Sequence, residues 1–104
     1  MSQHRTLVAG RWYELSLAAQ LGNVGSEYER ALKWRKLNDE RFQNAFDRFL
    51  ELIDLTVANP ELTIGRKREL LRAREQACAE LTGIIQSSLS KYFYYFALLA
   101  RSGS

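Results

Sequence analysis

Apolar residues recur along this chain every three or four positions, and four stretches of that spacing are separated by short polar or chain-breaking segments. Helical wheels place residues three and four apart on one side. The first stretch starts after Leu15, with Ser16 as its predicted N-cap, and carries Leu17, Leu21, Val24, Tyr28, Ala31 and Leu32. The second is predicted to be capped by Asp39 and to run to about Ala58, with Phe42, Ala45, Phe46, Phe49, Ile53 and Val57 on one side and Leu50, Leu52 and Leu55 widening it. Asn59-Pro60 ends it, because proline disfavours helical geometry in the residue before it. Thr63 is predicted to cap a third helix reaching Leu81, whose apolar side is Leu70, Leu71, Ala77, Cys78 and Leu81. Gly83 breaks that helix. The Ser87-Ser88 pair opens a fourth, which carries Leu89, Tyr92, Phe93, Phe96, Leu99 and Ala100.

Four amphipathic helices joined by short connections predict an all-α fold, an antiparallel up-down-up-down four-helix bundle forming one domain over 1–104. Residues 102–104 are expected to fray, and residues 1–14 are open to either a helical or an irregular reading. Trp12, Tyr13 and Leu15 either start the first helix early or fold back over the end of the bundle. Beside the apolar stripe of the first helix lie Ala18, Gly22, Gly25 and Ser26. Two glycines inside a helix cost roughly 1 kcal/mol each relative to alanine, and close approach of another backbone would offset that cost.

Residues 92 to 96 read Tyr92-Phe93-Tyr94-Tyr95-Phe96. A helix turns roughly 100° per residue, so five neighbours encircle it and cannot all face one core. Part of this ring must meet a second surface, which marks Tyr92, Tyr94 and Tyr95, with the small face at Gly22 and Gly25, as interface candidates. Trp12 and Trp34 fit the core or its ends, although tryptophan is also frequent among interface anchors.

Length and composition narrow the classes. With 104 residues, 46% hydrophobic and 26% charged, the chain has enough material for one core. Its single cysteine precludes an internal disulfide, and the start of the chain lacks the order of a secretion signal, so a cytoplasmic location is expected. The apolar run Tyr92 to Ala100 is about half of what spans a bilayer, so no membrane partner is expected.

The net charge is +3 and the isoelectric point about 9.2. In the predicted topology Arg5, Arg11, Arg66, Lys67, Arg68 and Arg101 gather at one end. Arg66-Lys67-Arg68 opens the third helix, where the macrodipole already presents positive charge and acidic residues are favoured by ~0.3 to 1 kcal/mol. Together with Arg72, these residues are candidates for gripping phosphate backbones; solvated side chains partly neutralised by Glu61 and Glu69 are the plainer explanation. Lys33, Arg35, Lys36, Arg41 and Lys91 lie at the other end, the first three where a helix C-terminus favours them. Arg72 and Arg74 on the third helix and Asp47, Glu51 and Asp54 on the second form stripes suited to salt bridges, within one bundle or between two. Asn23 with Glu27, and Asp54 with Thr56, either form a buried hydrogen-bonded set or face solvent.

Catalytic signals are weak. A bundle di-metal site needs glutamates on two helices and Glu-x-x-His on the other two, and the one histidine, His4, falls outside the helices. Cys78, beside Ala77, Ala79 and Leu81, suits a small buried hydrophobe. Gly22 and Gly25 follow no strand and form no phosphate loop. No enzymatic activity and no cofactor or metal are expected.

The segments Leu15-Ser16 to Gln20, Asn23-Val24-Gly25-Ser26-Glu27, Arg30-Ala31-Leu32-Lys33-Trp34, Ala45-Phe46, Leu52-Ile53-Asp54-Leu55-Thr56 and Lys91-Tyr92-Phe93-Tyr94-Tyr95-Phe96 together resemble a set of small uncharacterised bacterial four-helix proteins. The likeness covers most of residues 12 to 101, with a shorter connection over Gly83 to Ser88 than those proteins generally carry. More distantly, by architecture and charge, the chain is similar to the four-helix proteins encoded in ribosomal RNA intervening sequences and to the accessory variability determinant of diversity-generating retroelements. That likeness implies barrel-like pentamers with basic surfaces. Two functions are therefore expected. One is a non-enzymatic homo-oligomeric interaction module, such as an accessory subunit of a larger complex. The alternative is an accessory nucleic-acid-binding protein that holds RNA or DNA backbones, for instance beside a reverse transcriptase.

Overall fold

A computed structural model describes residues 10–83 and 89–102. Among these the chain is all-helical: α1 spans Leu17–Trp34, α2 Asp39–Val57, α3 Ile64–Leu81 and α4 Ser90–Arg101, and residues 10–12 form a further helical turn. No described helix is long and apolar enough to cross a membrane. His4, Arg5, Ser87 and Ser88 lie outside the described residues.

The starts of three helices follow from side chains that satisfy backbone N–H groups with no intrahelical partner. The Ser16 hydroxyl accepts from the Ala19 N–H, and the Thr63 hydroxyl from the Arg66 N–H at 3.1 Å. At α2 the expected cap, Asp39, is instead the first helical residue. Asn38 caps, its Oδ1 accepting from the Arg41 N–H at 2.9 Å, which leaves Asp39 and Glu40 in the first turn where the helix dipole favours acids. Leu89 precedes α4 without a side-chain capping bond. After α3 the chain turns at Gly83, whose φ of +85° belongs to the left-handed region that glycine enters without a Cβ clash.

α1 is the central strut and packs broadly against both α2 and α4. The core it organises holds Leu21, Val24 and Tyr28 of α1, Phe49 and Ile53 of α2, Leu70, Ala77 and Leu81 of α3, and Phe93 and Phe96 of α4. Tyr28 lies between two of these elements, its ring centroid 6.0 Å from Phe49 and 5.3 Å from Phe93. Phe49 and Phe93 meet edge-on at 6.2 Å.

α3 is the element that departs most from expectation. Its buried stripe is Leu70, Ala73, Ala77, Glu80 and Leu81, whereas Leu71, expected in the core, is 47% exposed and Cys78 is only partly buried. Two alanines and a glutamate share the stripe with two leucines, so α3 brings little apolar bulk to its neighbours, and an ion pair supplements its contact with α2: Arg74 Nε lies 2.7 Å from Asp54 Oδ1. This is the expected bridge between the basic and acidic stripes, made within one chain. Being half exposed, it contributes only ~0 to 1 kcal/mol.

The segment before α1 folds back instead of extending the helix. Trp12 is buried and its indole N–H donates to the Thr56 hydroxyl at 2.9 Å, while Thr56 donates to the Leu52 carbonyl. Gln20 donates to the carbonyls of Trp12 and Leu15, and the Tyr13 hydroxyl to that of Leu55. Of the polar residues weighed as a buried set, only Thr56 is buried. Asn23 faces solvent and bonds the Ala19 carbonyl, and Glu27 pairs with Arg30.

Candidate interaction surface on α4

The five aromatics of α4 divide as a helix demands. Phe93 and Phe96 are buried, and Tyr92 is partly buried with its hydroxyl donating to Glu69 Oε1 at 2.6 Å. Tyr94 and Tyr95 remain 56% and 58% exposed, and Leu98, 45% exposed, lies one turn further along the same side. Lys91 and Arg101 flank them, also exposed. At 100° per residue these five positions occupy an arc of about 120°, and α4 contains no acidic residue.

Gly22 and Gly25 serve contacts inside the chain. A Cβ on Gly25 would lie 2.4 Å from Phe93 Cβ, and one on Gly22 would lie 3.3 Å from Ala97 Cα. The close backbone approach that offsets their helical cost is thus that of α4 on α1. Their open edge still contributes to a groove between the two helices, with Arg30, Lys91, Tyr94 and Arg101 along its sides.

The basic candidates take different places. Arg66 is committed: its guanidinium pairs with Glu69 at 2.9 Å and lies 5.7 Å from the Phe96 ring centroid. Lys67 is partly exposed. Arg68 and Arg72, one turn apart and exposed, line a second groove with Tyr92 between α3 and α4, and among the described residues neither makes an ion pair. Arg101 belongs to the α1–α4 groove. Arg11 is exposed on the helical turn at residues 10–12 beside the anchored Trp12.

Burial pushes the Tyr92 hydroxyl well above the ordinary tyrosine range, and its hydrogen bond to Glu69 acts in the same direction. The phenol is therefore a fixed donor. Burial likewise raises the Cys78 thiol, with the nearby Arg74 cation acting oppositely. The hydrogen bond to Asp54 raises the Arg74 guanidinium. A raised thiol has little thiolate with which to attack at neutral pH. Among the described residues no three His, Cys, Asp or Glu side chains converge on a metal position.

One polar cluster escaped the sequence reading. Glu80 is buried; it accepts from the Tyr28 hydroxyl, and its backbone carbonyl accepts from Arg35 at 2.6 Å. Its register was the available signal, since Leu70, Ala73, Ala77 and Glu80 step by three, four and three. On the outer face of α2, Glu40 precedes Asp47 by seven residues, two helical turns, and extends the acidic stripe of Asp47, Glu51 and Asp54.

Comparison of the chain with models of protein families, with curated proteins and with solved structures finds no match.

Proposed function

We propose that this chain is a non-enzymatic helical interaction module that associates with further copies of itself through the outer face of α4. The carrying observation is the pair Tyr94 and Tyr95, each more than half exposed beside Leu98 on a helix whose other face is fully used. Large aromatics gathered on one exposed strip are typical of contact surfaces, since tyrosine supplies area at low conformational cost. The bundle that presents them has up-down-up-down antiparallel order. Its support is the descending pairing of residues: Tyr28 with Phe49 and Trp34 with Arg41 for α1 and α2, Gly25 with Phe93 and Gly22 with Ala97 for α1 and α4, and Glu69 with Tyr92 and Arg66 with Phe96 for α3 and α4; α3 then runs opposite to α2, which it meets through Asp54 and Arg74.

Within this reading the protein acts in the cytoplasm as an accessory subunit. Its kinship is with the small bacterial four-helix proteins and, more remotely, with the pentameric intervening-sequence and retroelement accessory proteins. Light scattering across a concentration series tests the central claim. The full chain is expected to be oligomeric, and Tyr94→Ser with Tyr95→Ser to be monomeric with unchanged helicity. A wild-type chain that stays monomeric at high concentration overturns it.

A second reading is favoured by Arg68 and Arg72, two exposed cations one turn apart with no ion pair among the described residues. They suit contact with RNA or DNA phosphates without base readout. Arg66, held by Glu69, is the less effective member of the basic run. Binding of labelled RNA and DNA should weaken as salt rises, and Arg68→Gln with Arg72→Gln should flatten that dependence. Binding that is absent at low salt rejects this reading.

A further inference from the structure

We infer that the α4 face docks on the acidic outer face of α2 of a second copy, so that the copies join head to tail. This deepens the self-association reading and rests on it.

α2 carries five acids, Asp39, Glu40, Asp47, Glu51 and Asp54, against two cations, Arg41 and Arg48, a net charge of −3. The acids at 40, 47, 51 and 54 fall within an arc of about 60° at 100° per residue, opposite the buried Phe49. Neither cation lies in that arc: Arg41 is turned onto the Trp34 ring, 4.6 Å from its centroid, and Arg48 reaches in from the edge to Glu51. Glu40 and Asp47 are exposed and make no ion pair among the described residues; Asp47 accepts only from the neutral Gln43 amide. The α4 face is its opposite in charge, with two cations and no acid.

The lengths agree as well. Lys91 to Arg101 spans about 15 Å along a helix and Glu40 to Glu51 about 16 Å, so both cations can reach carboxylates while Tyr94, Tyr95 and Leu98 rest on the stems of Gln43 and Arg48 between them. Long polar side chains offer such apolar stems, and an arginine beside tyrosine adds cation–π attraction.

One chain cannot satisfy its own two faces. Phe49 and Phe93 meet through the core, so the sides of α2 and α4 opposite them point away from each other. Two α4 faces set against one another would instead bring Lys91 and Arg101 of both copies together, with Glu29 on the α1 side of the groove as the one acid lining it in each copy among the described residues, and that excess of positive charge disfavours a twofold contact. A contact between unlike faces repeats from copy to copy and either closes into a ring or grows.

Paired charge reversal tests this in the full chain. Lys91→Glu with Arg101→Glu, and separately Glu40→Lys with Asp47→Lys, should each weaken association by about tenfold or more in sedimentation, because like charges then face each other. An equimolar mixture of the two variants should associate again, each copy meeting only the other kind. If the lysine variant of α2 loses helicity by circular dichroism, Glu40→Gln with Asp47→Asn serves in its place and should weaken association in the same direction. Wild-type-like assembly of the folded α2 variant, or failure of the mixture to recover, overturns the head-to-tail contact and leaves self-association standing if Tyr94→Ser with Tyr95→Ser still disperses the oligomer. A monomeric wild type overturns both.

Discussion

The Tyr28 hydroxyl donates to the buried Glu80 carboxylate and accepts from the Leu89 N–H at 2.8 Å, so one phenol ties α1 to α3 and to the residue that precedes α4. A carboxylate withdrawn from water needs such donors, since an unpartnered buried charge is among the most expensive features a fold can carry.

Tyr28→Phe removes that donor while keeping the ring between Phe49 and Phe93. It is expected to lower stability by about 1–3 kcal/mol, the range for leaving buried polar groups unsatisfied. Urea unfolding would show a lower midpoint with an unchanged slope, and Glu80→Gln should lose less because an amide still accepts from the phenol.

Gly25→Ala and Gly22→Ala should separate. Alanine gains roughly 1 kcal/mol of helix propensity at either site. At Gly25 the new methyl would meet Phe93 Cβ at 2.4 Å, forcing α4 outward, whereas at Gly22 the nearest atom is 3.3 Å away. Overpacking of the first kind costs about 1–3 kcal/mol. Thermal unfolding should therefore rank Gly25→Ala below the wild type and Gly22→Ala close to it.

Tyr92 makes stability fall in alkali. Its hydroxyl titrates higher in the fold than in the unfolded chain, where it ionises near pH 10. The folded state thus holds the proton more tightly. The associated stabilisation is complete below about pH 10 and is lost as pH rises beyond it. Urea midpoints measured from about pH 8 to 11 should decline, and Tyr92→Phe should show a shallower decline.

Cys78 should be a slow nucleophile. Burial raises its thiol, and Arg74 partly offsets this, so alkylation by iodoacetamide near neutral pH should be slower in the folded protein than in urea. Arg74→Met should slow it further while weakening the α2–α3 contact by no more than ~1 kcal/mol. A faster reaction in that variant would show that the bridge to Asp54 shields the sulfur instead of activating it.

Most of the secondary structure was legible because it rests on local chemistry. Ser16 and Thr63 cap where their spacing from the apolar stripes places them, and Gly83 supplies a backbone conformation other residues avoid. At α2 the local pattern predicts the cap one residue late, because asparagine and aspartate are equally good caps and stand side by side at 38 and 39. α3 is harder to read: its inward stripe mixes Leu70 and Leu81 with two alanines and a glutamate, so hydrophobicity alone points to Leu71 as a core residue, although it is 47% exposed.

Periodicity and backbone sterics act over a few residues, so the chain alone carries its helices, the break at Gly83 and the requirement that five consecutive aromatics divide between two surroundings. How they divide is set by helix packing: Tyr92 is claimed by Glu69, and Tyr94 and Tyr95 are left outside. Packing likewise turned Gly22 and Gly25 toward α4 and gave Glu80 a buried partner in Tyr28. Those outcomes depend on which helix stands across from which, a long-range packing choice that no local pattern encodes.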